Sequence, residues 1–263
     1  MLHPDKPKHL VILEGQVTKI SLAEFNQSAA ILMFNRGLGC WPYEQLRAAL
    51  AVSVLVSQHD SSQVALIISL LIFSLAWMWR RQVIRALALL WCMAFVLALP
   101  LSFFAYKAEL HMAPWLPFSA RARVIIWEFT AERVLDHPSL GIGADSTRAL
   151  SGQRETAEQP EGFVIKRTTA WHAHDLFLQV WYELGLVGVI LIGLAGAAVA
   201  LRMSVLPFES QPFAAATFAA FMAIAALSWG IWQTWLMCAV ALMLLYLGVA
   251  ARASGGSPEH REN

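Results

Sequence analysis

Cysteine is scarce in this chain: three in 263 residues, at Cys40, Cys92 and Cys238, each in or beside an apolar run. An odd, dispersed set excludes a disulfide-built module and forms no metal-ligand cluster. Charge is scarce too. Charged side chains make up 14% of the sequence, against about 25% in an average soluble domain. Nineteen Lys and Arg balance eighteen Asp and Glu, for a net charge of +1, so there is no broad basic footprint and nucleic acid is not an expected partner. The opening residues Met1 to Lys8 lack a basic stretch followed by an apolar one, which does not read as a signal peptide. What is abundant is apolar: 58% of residues, including 11 Trp and 14 Phe, with a mean hydropathy of +0.55. Such a chain reads as a membrane protein with several spans.

A membrane-crossing helix needs about 20 mostly apolar residues. The strongest candidates are Gln63–Trp79, Val83–Tyr106, Leu184–Leu201, Phe213–Trp229 and Ile231–Val249, with two more polar ones at Phe25–Pro42 and Leu46–Ser57. The expected fold is all-α: a polytopic membrane bundle of about seven transmembrane helices with a long, partly helical external loop. Basic residues orient it. Arg80, Arg81 and Arg85 cluster at one turn, Arg47 lies at another, and Arg202 and Arg252 follow later spans, while the alternate turns carry no Lys or Arg. The positive-inside rule puts the Arg80–Arg85 turn and the C-terminal tail in the cytoplasm, and an odd number of spans puts the N-terminus outside. The expected segments are 1–106 (membrane helices), 107–183 (external loop), 184–250 (membrane helices) and 251–263 (polar cytoplasmic tail).

The loop breaks the apolar pattern. Lys107 to Asp175 carries 17 of the 37 charged residues. Its aromatic and aliphatic content argues against simple disorder, and long ordered loops are commonly functional. Ala120–Asp136 reads as a helix with Arg123, Trp127 and Ala131 on one face, stopped before Pro138. His137-Pro138-Ser139-Leu140-Gly141-Ile142-Gly143 then reads as a tight turn whose glycines let backbone approach another group closely. Where the chain re-enters an apolar run stand His172-Ala173-His174-Asp175, then Glu183, Gly185 and Gly188. Asp175 is poised to cap a helix, and a neutral imidazole at His174 suits general-base work. Two other readings of the histidines stand beside that one: interfacial polar residues, or a His-x-His zinc pair, for which further ligands are not found nearby.

The ordered set of Arg123, Trp127, His137-Pro138, Gly141, Gly143, Ala173-His174, Glu183, Gly185 and Gly188 within one external loop resembles the O-antigen ligase and polymerase family of bacterial envelope enzymes. The resemblance covers residues 120–190 and implies a polytopic inner-membrane enzyme that transfers a glycan from an undecaprenyl-pyrophosphate-linked saccharide to a hydroxyl acceptor, such as lipid A–core or another glycan. It implies no cofactor, neither nucleotide nor metal. It makes His174 and Arg123 the catalytic pair, with Arg121 as the neighbouring alternative, and Trp127, Gly141, Gly143, Asp175 and Glu183 as substrate-binding candidates. Arg36 joins them: Asn35-Arg36-Gly37 is similar to a family element on an earlier helix, although Asn26-Gln27 has the better depth. Asp175 departs from the family's usual Asn.

The chemistry suits these residue types. An arginine fork binds a departing pyrophosphate bidentately, and a sugar hydroxyl needs a base as it attacks. Direct attack at the anomeric carbon inverts the stereochemistry. A transporter or flippase of polysaccharide is the competing class, but the spans hold few ionisable groups and no paired broken repeats. Relatives in the family are commonly longer, so an inactive or split fragment of a ligase is a third expectation.

Overall fold

In a computed structural model, the residues described are 60–150, 172–227, 230–234, 237, 238, 240, 241 and 245. The expected spans Phe25–Pro42 and Leu46–Ser57, with Arg36, lie outside them, as does most of Ile231–Val249. Among the described residues all regular structure is helical: α1 (Asp60–Lys107), α2 (Phe118–Val134), α3 (Ser146–Leu150), α4 (Leu176–Arg202) and α5 (Gln211–Leu227), with single 3-10 turns at Leu110–Met112 and Met203–Val205.

Two helices are long and apolar enough to cross a membrane, Ser61–Lys107 and Leu176–Val205, and Gln211–Leu227 is a shorter apolar one. The first is not one rod. Trp79 leaves helical geometry (φ −131°, ψ 54°), and the packing shows that the chain doubles back there. Ala65 packs with Ala220, Phe221 and Ile224, and Trp91 stacks on that same Phe221 with ring centroids 6.1 Å apart. In a straight helix, residues 65 and 91 would stand about 39 Å apart. The two limbs of α1 therefore run antiparallel along α5, as the separate expected spans Gln63–Trp79 and Val83–Tyr106 require. At the bend, the Arg80 guanidinium lies over the Phe208 ring.

The helices meet in an aromatic cluster. Trp91 contacts Phe95 edge-on, Phe177 edge-on and Phe218 at a tilt. Indole N–H groups buried among apolar side chains need acceptors. Trp91 Nε1 donates to the Ile192 carbonyl at 3.2 Å and Trp181 Nε1 to the Phe95 carbonyl at 2.8 Å. Gly196 makes this approach possible, because a Cβ there would overlap the Trp91 indole. The small residue at this position is thus a seat for a tryptophan. Outward-facing Leu70, Leu71, Leu89, Leu90, Leu191 and Leu194 remain exposed, the pattern of helices whose solvent is lipid.

The second long helix is also broken. Gly185 takes φ 59°, ψ −160°, backbone open almost only to glycine. Phe177 and Ile192 both reach Trp91, although 15 residues of unbroken helix would separate them by about 22 Å. So α4 bends sharply at Gly185, and its first two turns lean back over the bundle.

Candidate active site

The site is built on the joint at Gly185. The turn after α2 docks against it through main-chain hydrogen bonds. Ile142 N–H donates to Tyr182 O (3.1 Å), Gly143 N–H to Glu183 O (2.9 Å), Leu186 N–H to Pro138 O (2.9 Å) and Val187 N–H to Ser139 O (3.2 Å). Bending α4 frees these carbonyls and amides, and the turn satisfies them, as buried backbone requires. Gly141 (φ 65°) and Gly143 (φ 105°) both take left-handed backbone. A Cβ at Gly141 would collide with the Glu183 main chain. The group that the glycine turn approaches is thus the Glu183–Gly185 backbone.

Glu183 locks the joint from inside. It is fully buried, and both its oxygens are engaged. One accepts from Asp145 N–H at 2.9 Å and from the Trp232 indole N–H. The other accepts from Gln179 Nε2 at 3.0 Å and from Thr147 N–H at 3.3 Å. Gln179 in turn accepts from Ile231 N–H at 3.2 Å. One carboxylate therefore joins the start of α3, the first turns of α4 and the segment at 230–232. Gln179 could be found from its i, i+4 spacing to Glu183. Trp232 has no local signal in the sequence.

Above this joint α4 begins. Asp175 caps it, its side chain accepting from Phe177 N–H at 2.8 Å and Leu178 N–H at 3.2 Å. Burial pushes the Asp175 carboxyl up to about 7, opposed by those two backbone donors. His174, one residue earlier, stands at φ 54°. Its N–H donates to His172 Nδ1 at 3.3 Å, and the two imidazoles meet edge to face, centroids 4.1 Å apart. Burial lowers the His172 pKa to about 4, with the Arg123 charge adding to that fall against a backbone hydrogen bond that resists it.

That last effect brings α2 into the site. The Arg123 charge lowers the His172 pKa, which puts the expected arginine within electrostatic reach of His172, two residues before the expected histidine His174. The helix that carries Arg123 spans Phe118–Val134 rather than Ala120–Asp136. It starts directly after Pro117, and Leu135, Asp136 and His137 close it with short-range bonds to Glu132, Arg133 and Val134. Arg121 lies near the Phe118 ring, 5.9 Å from its centroid. Trp127 packs on the main core, and its indole N–H is buried without an acceptor among the described residues. Among the described residues, no three His, Cys, Asp or Glu side chains gather to hold a metal ion.

The sequence model of one protein family, described as O-antigen ligase, matches residues 47–193. That stretch contains α1, α2, the glycine turn and the joint with Glu183. The chain belongs to the O-antigen ligase family. Three curated relatives, each named as a candidate polysaccharide ligase, agree. One from Rickettsia conorii is 30% identical over 126 residues, which is 44% of this chain and 28% of the relative. One from Rickettsia felis is 30% identical over 125 residues, 44% of this chain and 29% of the relative. One from Rickettsia typhi is 28% identical over 120 residues, with the same shares. The chain thus spans under a third of the length of these relatives. No solved structure gives a significant match. The family match and two helices long and apolar enough to cross a membrane agree with a membrane setting.

Proposed function

We propose that this chain transfers a glycan from an undecaprenyl-pyrophosphate-linked donor to an acceptor hydroxyl, at the periplasmic face of a bacterial inner membrane. In this reading His174 is the general base. It takes the acceptor's proton as the hydroxyl oxygen bonds to the anomeric carbon, on the face opposite the leaving group. The bond from that carbon to the pyrophosphate breaks, and undecaprenyl pyrophosphate leaves with the electron pair, its charge met by Arg123. Arg121, Trp127 and Asp175 are the further substrate-binding candidates, and Arg36 is a further arginine for the donor. Gly141, Gly143 and Glu183 serve the reaction by holding the turn and the bent helix together. The arrangement assumes about seven spans, with the Arg80–Arg85 turn in the cytoplasm. No metal or nucleotide enters the scheme.

The observation that carries the reading is the His172–His174 pair, edge to face just ahead of the capped start of an apolar helix, with the Arg123 charge within electrostatic reach of His172. An arginine for pyrophosphate beside an imidazole for a hydroxyl is the pairing this transfer needs. The test is release of undecaprenyl pyrophosphate and formation of the joined glycan by the purified chain in detergent. We expect His174→Ala to lower the rate by about a hundredfold or more. Equal rates for His174→Ala and the parent overturn the reading.

A further inference from the structure

Three non-glycine residues among those described adopt left-handed backbone, and His174 is one of them at φ 54°. A histidine persists there only when its surroundings hold it. The hold is visible: its N–H donates to His172 Nδ1 at 3.3 Å, and its ring packs edge to face on the His172 ring. His172 is itself wedged. A Cβ on Gly230 would lie 2.7 Å from the His172 Cβ and 2.8 Å from Gln179 Oε1, so that wall is backbone, and Gln179 is fixed by Glu183. The neighbouring Ala173 is buried.

We propose that His172 is a positioning residue for the transfer reaction, its unprotonated Nδ1 fixing the backbone of His174 and so the aim of the His174 imidazole. The proposal rests on the function proposed above. It requires that His172 carry its proton on Nε2 and stay neutral at working pH. Its burial beside the Arg123 charge favours that neutral form. Only an acceptor at the δ position can do this, because the partner is the main-chain N–H two residues on. The side-chain oxygen of asparagine falls where Nδ1 stands, while that of glutamine falls nearer Nε2.

The experiment compares His172→Asn, His172→Gln and His172→Ala in the full chain, assayed for glycan transfer at varied donor concentration. The expected result is a kcat for His172→Asn within about threefold of the parent. His172→Gln and His172→Ala should fall by about tenfold or more, equivalent to about 1.4 kcal/mol of barrier, with KM for the lipid-linked donor unchanged. Asn and Gln variants that behave alike, or a loss confined to KM, overturn it. If the Gln and Ala chains do not fold, nitrogen NMR of histidine-labelled parent decides: an Nδ1 that carries the proton overturns the proposal, and a bare Nδ1 supports it. A parent and His174→Ala of equal rate overturn the function itself, whereas an inactive His174→Ala beside a fully active His172→Ala overturns only the role of His172.

Discussion

Gly141 and Gly185 close on each other backbone to backbone: a Cβ on Gly185 would lie 2.6 Å from the Gly141 amide nitrogen. Both have positive φ, and each stands where the other's chain needs space. The pairing joins two motifs that lie far apart in sequence. A turn with two left-handed glycines and a helix broken at a third fit together through four main-chain hydrogen bonds.

Gly141→Ala and Gly185→Ala are accordingly expected to destabilise the fold by about 2–4 kcal/mol each, since strain at φ and a backbone collision add. Thermal unfolding in detergent, followed by tryptophan fluorescence, measures this. Gly143→Ala should cost less, because its nearest obstacle is the Ser146 hydroxyl at 3.0 Å, a side chain that can turn away. A Gly143→Ala that melts as low as Gly141→Ala would count against this account of the joint.

Glu183→Gln is a sharper probe than it looks. All four partners of the carboxylate are donors, so an amide NH2 at one oxygen position would face two of them. The expected cost is about 2–3 kcal/mol, the penalty for unpaired buried donors. Glu183→Gln should melt well below the parent despite its matching shape, and a melt at the parent temperature contradicts the four-donor arrangement.

Arg123→Lys tests the binding of pyrophosphate. Lysine keeps the charge but loses the planar fork, and transfer should fall about ten- to a hundredfold with folding intact. Arg123→Gln also removes the charge that opposes protonation of His172, whose pKa should then rise from about 4. Titration of the histidine ring signals by NMR measures the rise. A pKa that does not move would mean that Arg123 is not near that ring.

Stability against pH carries two opposed slopes. His172 falls from its ordinary value of 6.5 to about 4 on folding, so between those values the unfolded chain binds more protons and stability rises with pH. Asp175 moves the other way, from 3.8 to about 7. Over that window the folded chain holds the extra proton, and stability falls as pH rises. The two oppose each other in the parent. Asparagine caps helices as well as aspartate does, so Asp175→Asn should expose the His172 slope: a melting temperature that climbs from pH 4 to 6.5. A flat profile in that variant would argue against a buried, neutral His172.

The parts of the fold set by local pattern are legible in the sequence. Apolar runs on either side of Trp79 mark the limbs of α1, with the arginines at the turn between them. The helix carrying Arg123 shows its face spacing and the proline beyond its end, with bounds two residues off at each side. Asp175 reads as a cap and is one. Other parts have no local signature. Trp232 meets Glu183 across 49 positions, and no periodicity announces such a reach. Gly185 sits inside a run apolar enough for unbroken helix, and its bend is imposed by the turn that docks on it. The His172 role depends on the left-handed backbone of His174, a torsion that only the folded chain displays.

The joint also makes the chain tolerant of being cut. Residues 137–147 are bound to 182–187 by main-chain bonds and by the Glu183 carboxylate, so both sides of the stretch 151–171 are anchored to one knot. A single protease cleavage inside that stretch should leave two fragments that elute as one particle in detergent. In topological terms the large loop is closed twice, once by peptide bonds and once by hydrogen bonds, and the second closure is the one that keeps the turn after α2 seated on α4.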